Sequence, residues 1–227
     1  MRHPSTKETS CQHEFRMTAK SDRFLREFEV YCAVYEKLEV KRKLDLTVRL
    51  LDTGREIGSG TRTWIRRDLE DIARWKGLRP PMLTIERNAL DIEGPLERAL
   101  RIEDEATRID ALCNIRGMGP VLASVMLMFT WPQTCGFMDY HTCNALRYLS
   151  FDLPKKYCTS RFTVPQLLTY LGIIRTLGEG KNTSAMQIAK ALYALDNVRT
   201  RNKWREQFDV ANCRLPPKDE IKRSFLR

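Results

Sequence analysis

No run of about eighteen consecutive apolar residues occurs in this 227-residue chain, so no segment has the character of a membrane-spanning helix. The 7 cysteines include no Cys-x-x-Cys pair and no tight cluster, which excludes the usual zinc and iron–sulfur ligand patterns. Their odd number and scatter read as reduced intracellular thiols. The N-terminus has no apolar core of the signal-peptide kind, and the expected location is cytoplasmic. No segment alternates apolar and polar residues over a strand's length, and no internal repeat is visible. These absences leave an all-α fold as the expected class.

What is present is a folded, basic chain. Apolar residues make up 42% of it, with 4 Trp and 9 Phe, enough to build a core. The 39 Lys and Arg against 29 Asp and Glu give a formal charge of +10, which favours a polyanionic partner. Residues 1–20 are polar and read as a flexible arm, 21–214 as one helical domain, and 215–227 as a basic, proline-containing tail.

Within the domain, Phe24, Phe28, Tyr31, Tyr35 and Leu38 recur at steps of three and four, predicting one helix that Ser21 or Asp22 can cap. Gly54, Gly58 and Gly60 predict a lapse of helix over 53–60. Further helices are expected over 63–76, 96–107 and 109–115. Gly77 and the Pro80-Pro81 pair end the first of these. Pro120 opens a helix reaching Trp131-Pro132, at a position where its missing N–H is not needed. Asp139 starts a helix through Leu149, Thr163 and Pro165 start another ending near Gly178, and Thr183 caps a last one.

Residues 112–127 hold the most informative pattern. In Ile115-Arg116-Gly117-Met118-Gly119-Pro120 the glycines permit positive φ and leave no Cβ in the way. The N–H groups opening the next helix then form an anion site suited to a DNA phosphate. An ordinary helix–turn–helix corner with a glycine cap uses the same residues. About twenty residues later Asp139 opens another helix. By itself Asp139 reads as an N-cap; beside a held DNA strand it also reads as a carboxylate for chemistry on the sugar.

Leu112–Leu127, followed by Trp131-Pro132 and Met138-Asp139-Tyr140-His141, resembles the helix-hairpin-helix and Val-Asp-x-His elements of the endonuclease-III-like DNA glycosylases. Asp71-Ile72-Ala73-Arg74-Trp75-Lys76 is similar to a segment of a poorly characterised bacterial branch of that superfamily. The resemblance implies two helical subdomains flanking a cleft, into which a nucleotide of double-stranded DNA is flipped. It places the catalytic carboxylate at Asp139 and DNA contacts at Arg116, Gly117, Met118, Gly119, Val121 and His141. Tyr140, Trp131, Trp75 and Lys76 are candidates for the base pocket, although each aromatic alone reads as core and Lys76 reads more readily as a surface lysine.

The resemblance also implies a monovalent cation, Na or K, on the main-chain carbonyls of Cys113, Ile115 and Met118, with no organic cofactor. Bifunctional members carry a nucleophilic lysine where this chain has Val121, so the expected enzyme is monofunctional, hydrolysing the base–sugar bond and leaving an abasic site. Its setting would be base-excision repair or defence against phage DNA carrying modified bases, in a monomer at the bacterial nucleoid. A non-catalytic DNA-binding protein, and a glycosylase/lyase using an unaligned lysine such as Lys76, remain open. The runs Lys41-Arg42-Lys43, Arg66-Arg67 and Arg199/Arg201/Lys203/Arg205 extend a candidate DNA face.

Overall fold

The computed structural model describes residues 17–38, 41–77, 92–151, 153 and 162–200, with the side chains of 41 and 42 excepted. The arm over 1–16, Arg201, Lys203 and Arg205, and the tail from 215 lie outside the described residues. All regular structure within them is helical: α1 Ala19–Arg26, α2 Phe28–Leu38, α3 Lys41–Gly58, α4 Arg66–Lys76, α5 Glu93–Leu100, α6 Glu105–Cys113, α7 Pro120–Thr130, α8 Tyr140–Tyr148, α9 Val164–Lys181 and α10 Ala185–Thr200. The all-α expectation holds, and none of these helices is long and apolar enough to cross a membrane.

Several boundaries differ from the sequence reading. The first helix starts earlier: Thr18, not Ser21 or Asp22, is its N-cap. Thr18 accepts from the Ser21 N–H while Ser21 accepts from the Thr18 N–H, a reciprocal box that draws residues 19 and 20 out of the expected arm. The single stripe from Phe24 to Leu38 is divided at Glu27 between α1 and α2, yet Phe24, Phe28, Tyr31 and Tyr35 still bury together. The helix expected over 96–107 is instead two. The Asp104 carboxylate accepts the Thr107 N–H at 2.8 Å and so begins α6. The last helix is capped by Ser184, whose hydroxyl accepts the Gln187 N–H at 3.2 Å, whereas the Thr183 N–H closes onto the Gly178 carbonyl.

The largest correction concerns the expected lapse at 53–60, because α3 runs unbroken to Gly58. The glycines serve a neighbour rather than a turn. A Cβ on Gly54 would lie 2.0 Å from the Phe129 carbonyl oxygen, and one on Gly58 would lie 3.0 Å from that of Thr130. Two helix backbones approach here with no side chain between them.

The helix met so closely is α7, buried from Leu122 to Thr130 and contacted by α3, α4, α6 and α9. Its Thr130 hydroxyl accepts from the fully buried Trp64 indole at 3.1 Å. A second set forms around α10, which packs on α2, α8 and α9. The segment 131–139 runs from the end of α7 to the start of α8.

Candidate active site

The hairpin forms as its sequence suggests, with one difference between the glycines. Gly117 has φ +94°, a left-handed conformation that disfavours any side chain. Gly119 does not: it is extended at φ −83°, ψ 173°, and is the N-cap of α7 with Pro120 in the first turn. A Cβ on Gly119 would meet nothing within 4 Å. What glycine provides at 119 is therefore access to the helix N-terminus, not backbone freedom. Met118 is buried and pins the turn to the core, whereas Arg116 is exposed at its tip.

Asp139 lies one hydrogen-bond relay from this hairpin. The Ser124 hydroxyl donates to the Val121 carbonyl at 2.7 Å and accepts the Met138 N–H at 2.9 Å. Ser124 is about 6 Å along the axis from the helix start at Pro120. The residue before Asp139 is thus tied to the first turns of α7, and Val121 contributes its carbonyl to that tie.

The Asp139 carboxylate is divided between two tasks. Oδ1 accepts the Thr142 N–H at 2.8 Å, and the Thr142 hydroxyl in turn accepts the Asp139 N–H at 2.9 Å, a reciprocal cap on α8. Oδ2 accepts from Lys76 Nζ. The Lys76 and Asp139 side chains are only 10% and 12% exposed, so the lysine is not the surface residue its place at a helix end suggests. Its ammonium lies 4.5 Å from the centroid of the Phe137 ring and 6.0 Å from that of Tyr193.

Lys76 opens onto a small pocket between the two helix sets. Its walls are Tyr35 and Leu38 of α2, Lys43 of α3, Trp75 of α4, Phe137 and Tyr193 of α10. Trp75 packs edge-on against Phe129 and Phe137, and its indole N–H donates to the Thr47 hydroxyl at 2.7 Å. It is at once a core residue and a pocket wall. Sequence reasoning missed Tyr35, Lys43, Phe137 and Tyr193 as pocket residues. Only Phe137, two residues before Asp139, carried a local signal.

The remaining candidates are dispersed. His141 stands beside the pocket, its ring edge-on to Tyr193 at 5.0 Å. His141 Nδ1 is 2.8 Å from Asp196 Oδ2, and Arg199 reaches Oδ1 of the same buried carboxylate at 3.2 Å. Asp196 thereby fixes the imidazole through Nδ1, and the His141 side chain stays about a third exposed, at 32%. Tyr140 is 52% exposed and touches His141, outside the pocket wall. Trp131 is farther off: it ends α7, about 16 Å from the hairpin by helix rise, and its ring lies under Arg108 at 4.7 Å.

Of the three carbonyls expected to hold a cation, that of Ile115 accepts the Met118 N–H at 2.8 Å. A carbonyl keeps a second lone pair, and three neutral hard oxygens suit Na⁺ or K⁺. Among the described residues no cluster of three His, Cys, Asp or Glu side chains is placed to hold a metal. Burial pushes the Cys113 thiol up to about 11, so it stays protonated at neutral pH. No family model, no curated protein and no solved structure matches the chain.

Proposed function

We propose that this chain is a DNA N-glycosylase that flips a modified or damaged base from the duplex and hydrolyses its bond to the sugar. The observation that carries the reading is the pairing of a rigidly capped Asp139 with an aromatic pocket, a short hydrogen-bonded step from an open helix N-terminus. A phosphate would rest on the α7 N–H groups at Gly119, with Arg116 and His141 on the strand alongside. As the glycosidic bond stretches, positive charge builds on the sugar, and the Asp139 carboxylate would stabilise that charge and orient the attacking water. The two helix sets with the pocket between them suit the two-part glycosylase architecture. A monovalent cation on the carbonyls of Cys113, Ile115 and Met118 would add a positive charge beside the phosphate.

The test is release of free base from a panel of modified-base duplexes, drawn from both repair substrates and phage-type modified DNA. Asp139→Asn keeps the cap and is expected to lower release by about 100-fold or more with DNA affinity retained. Affinity without release by the parent protein would instead assign a non-catalytic DNA-binding role.

The hairpin has its own test. Gly119→Ala adds a methyl group in open space, so folding stability should change by less than ~0.5 kcal/mol. The same methyl intrudes where a phosphate would approach, so affinity for duplex DNA should fall at least tenfold. A stable variant that binds DNA normally would remove the hairpin from the interface.

One observation favours a second reading. Lys76 supplies the amine that position 121 lacks, placed against the catalytic carboxylate. If it attacks the sugar, the enzyme is a glycosylase/lyase, and borohydride will trap a covalent adduct with abasic-site DNA that Lys76→Arg does not form. Absence of the adduct leaves the monofunctional hydrolase.

A further inference from the structure

An exposed aromatic ring stands directly beside Asp139. Among the described residues only two aromatic side chains are exposed, Tyr140 and Tyr148, which open and close α8. The Tyr148 ring is flanked by cations: Lys20 Nζ and the Arg199 guanidinium carbon each lie 5.0 Å from its centroid. Tyr140 differs. Its ring contact is T-shaped, with His141 at 5.6 Å, and half of the side chain faces solvent. The mount behind it is rigid. His141 is held through Nδ1 by the buried Asp196 carboxylate at 2.8 Å, and it packs against the Tyr193 ring of the pocket wall at 5.0 Å. The helix start that carries Tyr140 is fixed by the reciprocal cap of Asp139 and Thr142. Tyr140 therefore lies two ring contacts from the pocket and one residue from the carboxylate. Little conformational freedom remains to be lost when something stacks on it.

We infer that Tyr140 is an intercalating side chain, whose ring enters the base stack at the place a flipped nucleotide has left. The inference rests on the glycosylase reading and concerns a step that precedes bond cleavage. Turning a nucleotide out of the duplex leaves a gap one base thick, roughly 3.4 Å along the strand. Unless that gap is filled, the flanking bases lose a stacking partner and the extruded nucleotide falls back. The missing base was joined to the same sugar that Asp139 would face. A side chain that fills the gap must therefore be rooted close to Asp139 along the chain or across the fold. Tyr140 meets that condition as its chain neighbour, and an aromatic ring has the thickness and the π-face of the base it replaces. Tyr140 thus acts on the duplex rather than on the extruded base, and the Asp196–His141 contact is its backing.

The experiment uses the full chain and two duplexes of one sequence. One is intact, and the other carries a tetrahydrofuran abasic analogue at its centre, where the gap exists without any base being expelled. Affinity is read by fluorescence anisotropy. The parent protein is expected to favour the analogue duplex by about tenfold or more, a ratio set by stacking. Tyr140→Ala should bind the intact duplex as the parent does and favour the analogue by no more than about threefold. Its urea midpoint should match the parent's, because the side chain removed is exposed. Tyr140→Trp and Tyr148→Ala should both keep the parental ratio. Equal weakening on both duplexes in Tyr140→Ala would make Tyr140 a backbone contact and overturn the inference. A parental ratio in Tyr140→Ala, or equal binding of the two duplexes by the parent, would also overturn it. Failure of the parent to bind either duplex would remove the glycosylase reading as well. Base release from modified-base duplexes is scored separately. Release with an unchanged ratio in Tyr140→Ala removes the intercalating role alone, whereas a ratio lost in Tyr140→Ala with no release by the parent keeps that role and removes the hydrolase.

Discussion

Replacing Gly54 by alanine is expected to destabilise the protein by about 3 kcal/mol or more, or to prevent folding, although alanine is the better helix former by about 1 kcal/mol. The added Cβ would lie 2.0 Å from the Phe129 carbonyl oxygen and 2.4 Å from its carbon. Both are backbone atoms of the most buried helix, so no rotamer change relieves the contact, and α3 and α7 must separate. Gly58→Ala, with its nearest contact at 3.0 Å, should be milder, and Gly119→Ala close to neutral. Urea unfolding midpoints at constant m-value order the three. A Gly54→Ala protein as stable as its parent would mean that α3 and α7 do not cross this closely.

The second large effect lies at Asp139. Lys76→Met keeps the length of the side chain and removes its charge, leaving a carboxylate that is 12% exposed without its cation. The expected loss is about 3 kcal/mol, within the range for breaking a buried pair from one side. Adding Asp139→Asn should restore most of it, because the amide oxygen still accepts the Thr142 N–H and no charge remains unpaired. A double-mutant cycle with coupling near zero would show that the two groups do not meet in solution. Stability is the readout, so the result is independent of whether the pair acts on DNA.

What the sequence disclosed and what it hid follow from range. The hairpin was legible because its determinants are local: a residue that tolerates φ +94° at Gly117, a proline where no N–H is needed, and Met118 turned into the core. Asp139 was legible as a cap, since the Thr142 N–H it accepts is three residues away. Lys76 and Asp139 are 63 positions apart, and His141 and Asp196 are 55 apart. Neither pairing leaves a periodic trace, because a long-range polar contact fixes no spacing along the chain. Gly54 shows the opposite error. Its low helix propensity was read correctly, but its purpose belongs to the helix lying across it. The caps at Thr18 and Ser184 were misplaced by one to four residues and that at Asp104 was missed, because apolar stripes run through the breaks that polar side chains make.

The division of the Asp139 carboxylate has a further consequence. One oxygen is locked into the helix start, so the group cannot swing to greet a newcomer. The other oxygen already holds a positive charge, delivered by a long and jointed side chain. The ammonium therefore sits on the second oxygen like a stopper, and the carboxylate has little open edge left. Any cation or donor that reaches this oxygen must displace the ammonium, and the four-carbon tether of Lys76 is the part that gives way.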